Sequence, residues 1–306
     1  GVLMVKAVID IGSNSIKMRI ARVESGRVHV IRDETEVVRL GRGMSSTGLL
    51  SQESMKLSCA AVARMVRKAK HCGAEIFIAG TMALRTAHNA GDFVKMVRDS
   101  CGHEVHIFSG NDEARYSWIG AVDGLGLDGD AVMFDTGGGS TEFVAGTRGE
   151  MKRAVSVPVG AVNLSERFFP AVNEPVKKSA CDEAISFVRN MLLEGGIDTF
   201  RSAEFQVIGV GGGVVAMAGV KNACENFVPS RLHGSILTQK DIVRQIRLYS
   251  SLTLKERENI IGLPKSRADV ILGSACIVFA ALRLLNAPSC MVSINGLRHG
   301  LLLGGV

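Results

Sequence analysis

The sequence has few aromatic residues and lacks any pair of cysteines separated by two residues. Aromatics make up 5% of its 306 residues, which argues against a stacking platform for single-stranded nucleic acid. We therefore expect no specific nucleic-acid partner. The seven cysteines are odd in number, and this pattern favours reduced thiols in a cytosolic protein over a zinc ribbon or a disulfide framework.

Long hydrophobic runs are also lacking. The longest apolar stretch, residues 270–282, is bounded by Asp269 and Arg283, so it is too short to span a bilayer and predicts a buried helix. The apolar residues of 5–11 are interrupted by Lys6 and Asp10, which is typical of a strand and not of a signal peptide. We expect a cytoplasmic protein without a membrane partner.

Two common nucleotide-binding motifs are absent as well. No GxxxxGKS/T sequence occurs, which excludes a P-loop NTPase. The glycine-rich residues 209–213 follow a predicted strand, but no acidic residue lies at the distance that a dinucleotide-binding fold requires. This run instead predicts a loop, around Gly211 and Gly212, where the backbone closely approaches a ligand.

The residues that are present suit a folded chain of two domains. Hydrophobic residues make up 46% and charged residues 22% of the sequence, so the chain can bury a large core. A chain of this length usually divides into two domains, each with its own hydrophobic core. The net charge of +6 mildly favours an anionic partner. Predicted strands alternate with predicted helices, which indicates the α/β class.

An internal repeat gives the strongest indication of architecture. Residues 8–12 and 133–137 each combine a strand, an acid, one further residue and a glycine, and the acids are Asp10 and Asp135, 135 − 10 = 125 positions apart. Two copies at this spacing imply a duplicated domain facing a cleft, although chance similarity between two hairpins is the alternative. We place the domains at 1–124 and 125–306, with residues 297–306 packing back on the first.

The second copy carries a loop of three glycines followed by two hydroxyls. Such a loop lets backbone N–H groups approach phosphate oxygens. If it closes a hairpin, Asp135 and Glu142 lie opposite each other at its base, where they would suit Mg²⁺. A glycine-rich turn with a plain cross-strand pair is the alternative. The predicted phosphate-binding residues of this loop are Gly137, Gly138, Gly139, Ser140 and Thr141.

The first copy predicts a related loop and a third acid, Asp10. The loop residues are Gly12, Ser13, Asn14 and Ser15. Farther along, residues 109–112 match a capping box and predict a helix over about 110–121. Glu113 in its first turn either stabilises the helix dipole or has a chemical role.

Six separated motifs occur at residues 8–15, 80–85, 109–115, 134–142, 267–269 and 293–300. Their order is the one found in the exopolyphosphatase/guanosine pentaphosphatase (Ppx/GppA) family, which this sequence resembles over essentially its whole length. The resemblance implies a duplicated ribonuclease-H-like fold of the actin, sugar kinase and Hsp70 superfamily, with the site in the interdomain cleft.

The resemblance also implies an activity and a set of roles. It implies removal of the terminal phosphate of polyphosphate, or of the 5′-γ-phosphate of pppGpp, with Mg²⁺ or Mn²⁺ as cofactor. Glu113 would be the general base and Arg85 would neutralise charge on the transferred group. Asp135 and Glu142 would hold the metal with help from Asp10. Arg267 either reaches the phosphates or pairs with Asp269.

Other functions share some of these features. An ATP-dependent kinase of the same superfamily has similar paired loops, and a non-hydrolytic sensor of (p)ppGpp or polyphosphate would keep the binding loops. The HD-type helical domains that extend the channel for long polymers in longer family members are not found in this sequence, so the resemblance does not carry processivity on long polyphosphate over to it. A homodimer is plausible for this family.

Overall fold

The computed structural model describes residues 4–201, 204–226 and 228–304. The chain divides into two compact units. The first runs up to Gly120 and includes the segment from Leu297 onward, and the second comprises Ala121–Gly296. The predicted domain limits at residues 124 and 125 stay a prediction, because a division into compact units does not show which segments fold on their own.

The first unit contains a five-stranded mixed sheet. Strands β1 to β3 form an antiparallel meander, and β4 and β5 continue the sheet parallel to β1. The strand order is β3-β2-β1-β4-β5. The strands are β1 (Val5–Ile11), β2 (Ser15–Glu24), β3 (Arg27–Val37), β4 (Glu75–Gly80) and β5 (His106–Ile107).

Helices cover both faces of this sheet. Alternation along β1 sends Ala7, Ile9 and Ile11 into the core under α2, whereas Val8 joins Leu301 of α12 in a smaller cluster on the opposite face. The C-terminal helix α12 therefore contacts β1, β2 and β3. The helices are α1 (Met44–Thr47), α2 (Gln52–His71), α3 (Met82–Thr86), α4 (Ala90–Cys101), α5 (Gly110–Val122) and, at the C-terminus, α12 (Leu297–Gly304).

The second unit repeats the topology of the first. Its strand order is β10-β11-β9-β6-β7-β8, so β8-β7-β6-β9-β11 has the same order and directions as β3-β2-β1-β4-β5. Strand β10 is an antiparallel addition. The predicted duplication is confirmed. The strands are β6 (Asp130–Thr136), β7 (Thr141–Thr147), β8 (Glu150–Val157), β9 (Gln206–Val210), β10 (Ile236–Thr238) and β11 (Ser289–Val292).

One buried helix organises the core of the second unit. Helix α11 packs against the helices α6, α7, α8 and α9, and it covers residues 271–282 of the buried helix predicted over 270–282. No helix of the described ranges is long and apolar enough to cross a membrane. The helices are α6 (Ala161–Phe168), α7 (Lys178–Glu194), α8 (Gly212–Lys221), α9 (Gln239–Ser250), α10 (Leu254–Arg257) and α11 (Ile271–Leu285).

Candidate functional site

The triple-glycine loop connects β6 to β7 as a hairpin, as its sequence predicts. Asp135 pairs with Glu142 across the two strands, and the Gly137 amide closes the turn by donating to the Ser140 carbonyl over 2.9 Å. Residues directly opposite each other on antiparallel strands project from the same face. The two carboxylates therefore share one face at the base of the loop.

The start of α6 fixes the carbonyl side of this loop. The Ala161 amide donates to Gly137 O over 2.9 Å and the Val162 amide to Gly138 O over 2.8 Å. Gly160 lies so close that a Cβ there would come within 2.4 Å of the Gly138 carbonyl carbon. Any anion that binds this loop would therefore meet its amide side.

Glu142 is buried, and two serine hydroxyls orient its carboxylate. Its Oε1 accepts hydrogen bonds from Ser140 Oγ over 2.7 Å and from Ser156 Oγ over 2.8 Å. Sequence reasoning named Ser140 for its place in the loop but missed Ser156. The sequence carries no clear signal for Ser156, which is identified by the pairing of β8 with β7 that places it directly opposite Glu142.

The first unit carries the related loop at the end of β1. The Gly12 amide donates to Ser15 O over 3.1 Å, which is the same turn-closing bond as in the second unit. The amides of Val38 and Arg39 donate to Asn14 O over 3.1 and 2.9 Å. The side-chain Nδ2 and Oδ1 of Asn14 are buried without a partner among the described residues.

Asp10 lies opposite Lys17, at the position where the second unit has a second carboxylate. Burial raises the pKa of the Asp10 carboxyl, and the positive charges of Lys17 and Arg298 offset only part of this shift. Its Oδ1 is buried and has no hydrogen-bond partner in the described part of the chain. The two units therefore share a loop but differ in the charge beneath it.

Arg85 and Glu113, which are distant in sequence, form an ion pair within the first unit. Arg85 is in the last turn of α3, and its Nη1 donates to Glu113 Oε2 over 2.9 Å and to the Phe108 carbonyl over 2.9 Å. Glu113 is in the first turn of α5, which begins at Gly110 as the capping box predicts. Their side chains are only 22% and 12% exposed.

The third glycine run differs from the predicted loop. Gly212 and Gly213 begin α8, and only Gly211 before them has the left-handed backbone, with φ of 111°. The Arg267 guanidinium lies against Gly212, since a Cβ there would be 2.3 Å from Nη2. Burial lowers the pKa of Arg267, and Asp269 offsets part of this shift. Phosphate binding by Arg267 and its pairing with Asp269 both stay predictions.

A metal ion would find carboxylate ligands mainly in the second unit. Residues 4–201, 204–226 and 228–304 contain no cluster of three or more His, Cys, Asp or Glu side chains arranged to hold a metal. Mg²⁺ commonly takes one or two carboxylates and completes its octahedron with water and phosphate oxygens. The facing pair Asp135 and Glu142 fits this mode of binding.

A family model described as the Ppx/GppA phosphatase family matches residues 19–306. Exopolyphosphatase 2 of Mycobacterium tuberculosis is 27% identical, over 97% of this chain and 96% of its own length. A guanosine-5'-triphosphate,3'-diphosphate pyrophosphatase of Photobacterium profundum is 28% identical over 96% of this chain and 58% of its own length. The bifunctional 3-dehydroquinate synthase/phosphatase of Fusobacterium nucleatum is 29% identical over 98% of this chain and 46% of its own length.

Solved structures show the same architecture. The Ppx/GppA family member of Aquifex aeolicus matches with a TM-score of 0.82 and 26% identity, over 99% of this chain and 97% of that one. An exopolyphosphatase from Cytophaga hutchinsonii matches with a TM-score of 0.88 and 24% identity, over 99% of both chains, which shows the fold alone. Several curated relatives are longer proteins, of which this chain spans about half.

Proposed function

Because the chain belongs to the Ppx/GppA phosphatase family, we propose that it is a hydrolase that removes a terminal phosphate from a phosphoanhydride. The substrates are inorganic polyphosphate, pppGpp or both, in line with the names of its relatives. The protein would act in the cytoplasm, and a homodimer stays a prediction.

The observation that carries this proposal is the facing pair Asp135 and Glu142 beneath the triple-glycine loop. Like charges directly opposite each other on a sheet are destabilising, so a divalent cation at this position would offset their repulsion. The loop above has its carbonyl groups engaged by α6. In this arrangement, backbone N–H groups of the loop could bind phosphate oxygens while the paired carboxylates below bind the metal ion that accompanies them.

Mg²⁺, with Mn²⁺ as a substitute, fits this pair. We propose that Asp135 and Glu142 hold the ion and that Asp10 assists. When bound, the ion would neutralise charge on the phosphate oxygens. The proposed phosphate-binding groups are the loops at residues 12–15 and 137–141, together with Gly211, Gly212 and Arg267.

Glu113 is the proposed general base. A water oxygen attacks the terminal phosphorus, and its proton passes to the Glu113 carboxylate as the new P–O bond forms. The bond to the bridging oxygen breaks, and its electron pair stays with the shortened phosphate chain. Arg85 donates a hydrogen bond to Glu113, so we propose that it positions the base, in addition to the charge-neutralising role implied by the family resemblance.

Phosphate release on a panel of substrates tests this function. Purified protein is incubated with tripolyphosphate, long polyphosphate, pppGpp and ATP, each with Mg²⁺ or with a chelator. We expect Mg²⁺-dependent release from tripolyphosphate or pppGpp, without any acceptor. ATP consumption that requires a sugar or carboxylate acceptor would indicate a kinase, and binding of (p)ppGpp or polyphosphate without phosphate release would indicate a sensor.

A further inference from the structure

Ser156 completes a row of three polar residues that crosses the sheet of the second unit. Asp135 on β6 is opposite Glu142 on β7, and Glu142 is opposite Ser156 on β8. Directly paired residues on antiparallel strands project from the same face and interact. The Ser156 hydroxyl on β8 therefore lies beside Glu142, on the side opposite to Asp135.

The hydrogen bond between Ser156 and Glu142 stabilises the buried Glu142 carboxylate more than it stabilises the Ser156 hydroxyl. Glu142 is only 3% exposed, and a buried carboxylate is costly unless its oxygens accept hydrogen bonds. Ser156 is exposed, so its hydroxyl could bond to water at little cost. A hydroxyl that instead donates to a carboxylate over 2.8 Å makes a charge-assisted bond.

Two donors on one oxygen fix the orientation of the carboxylate. Ser140 donates to Oε1 from the loop, and Ser156 donates to the same oxygen from the neighbouring strand. Rotation of the carboxylate would break both bonds. Because a carboxylate oxygen offers about two lone pairs, these two hydrogen bonds use the acceptor capacity of Oε1.

We propose that Ser156, together with Ser140, holds the Glu142 carboxylate in the orientation that binds the divalent ion. This inference rests on the metal site of the proposed function. Hydrogen-bond partners of metal ligands set the orientation of those ligands, and their loss typically weakens metal affinity by about 10-fold to 100-fold. Ser156 is a positioning residue, because it acts through Glu142.

A pair of variants of matched shape tests this role. Ser156→Thr keeps the hydroxyl. Ser156→Val replaces it with a side chain of nearly the same shape as threonine but without a hydroxyl. Binding of Mn²⁺ to the metal-free protein is followed by electron paramagnetic resonance, so the readout does not depend on turnover. We expect Ser156→Val to raise the Kd for Mn²⁺ by about 10-fold or more, and Ser156→Thr to stay near the wild type.

A control serine separates this role from a general effect of losing a hydroxyl. Ser251 donates from its hydroxyl to the Leu248 carbonyl over 2.9 Å in the same unit, outside the polar row. Ser251→Ala should therefore bind Mn²⁺ as the wild type does. Ser156→Ala serves as a second hydroxyl-free variant, and circular dichroism and thermal melts establish that each variant is folded.

Several results would overturn the inference. Mn²⁺ affinity equal to that of the wild type in folded Ser156→Val and Ser156→Ala is one of them. Unfolding of both variants is another, since it would make Ser156 a structural residue. A wild-type protein that binds no Mn²⁺ would remove the metal site itself. If the wild type binds Mn²⁺ but releases no phosphate from any substrate, the proposed function fails, whereas a weakened Ser156→Val would still support the positioning role.

Discussion

Arg85 donates a hydrogen bond to the Glu113 carboxylate over 2.9 Å, and both side chains are largely buried. The same Nη1 also donates to the Phe108 carbonyl, just before the helix that carries Glu113. The guanidinium therefore ties the proposed base to the backbone that precedes its own helix. Charge-assisted bonds of this kind fix geometry more firmly than neutral ones.

The first prediction concerns this ion pair. Arg85→Ala should lower the rate of phosphate release by about 100-fold, because the proposed base loses the group that orients it. Initial rates on tripolyphosphate and pppGpp check this. Arg98→Ala is the matched control, since Arg98 forms an exposed ion pair with Glu104 in the same unit. Equal rates for both variants would contradict the positioning of Glu113 by Arg85.

The second prediction concerns the close contact of Gly160 with the triple-glycine loop. Gly160→Ala places a Cβ within 2.4 Å of loop backbone atoms, so we expect a loss of about 1–3 kcal/mol in the free energy of unfolding and weaker substrate binding. Gly149→Ala is the control, because nothing lies within 4 Å of its Cβ position. Urea unfolding and KM measurements compare the two, and similar behaviour would argue against a rigid loop.

The third prediction is a gain in stability at the expense of activity at Asp10. Burial raises the pKa of this carboxyl, so its ionisation opposes folding once the pH exceeds its unfolded value of about 4. Asp10→Asn should therefore be more stable than the wild type at pH 7, and this difference should shrink as the pH falls from the raised folded pKa towards about 4 and be absent below that value. It should also release phosphate more slowly. Unfolding at several pH values checks the first part, and lower stability at pH 7 would contradict it.

The fourth prediction has the opposite sign and concerns Asp33 on β3. Burial alone would raise the pKa of Asp33, but Arg298 and Arg19 outweigh this effect and lower it. The ionised carboxylate therefore stabilises the fold above the unfolded pKa of about 4, and this contribution fades as the pH falls below that value. Asp33→Asn should lower stability at pH 7 and lose its effect at acid pH. A pH-independent difference in urea unfolding would contradict the ion-pair account.

Local signals made much of the fold predictable from the sequence. Ser51 caps α2 by accepting a hydrogen bond from the Ser54 amide, and Ser109 accepts one from the Asp112 amide at the start of α5. Both helices begin at the residue that follows the capping serine, and the capping box at residues 109–112 predicted the start of α5. The hairpin that pairs Asp135 with Glu142 was also predictable, because its glycines and flanking strands are adjacent in the sequence.

Features that depend on packing between distant segments could not be predicted. Strand β8 is mostly exposed and rich in charged residues, so its hydrophobic pattern is weak, and Ser156 was missed with it. Gly212 and Gly213 are poor helix formers, yet they begin α8, and Arg267 and Ser274 lie so close to them that a Cβ at either position would clash. The contact between Arg85 and Glu113 joins two helices and has no signature in sequence spacing.

The most direct test of the proposed chemistry is the rate of phosphate release by Glu113→Gln relative to the wild type. Both proteins are assayed on tripolyphosphate and pppGpp with Mg²⁺, after thermal melts show that they are equally folded. Glutamine keeps the shape of the side chain but cannot accept the proton from water. The account predicts a fall of about 100-fold or more, and a variant that keeps nearly the wild-type rate would contradict it.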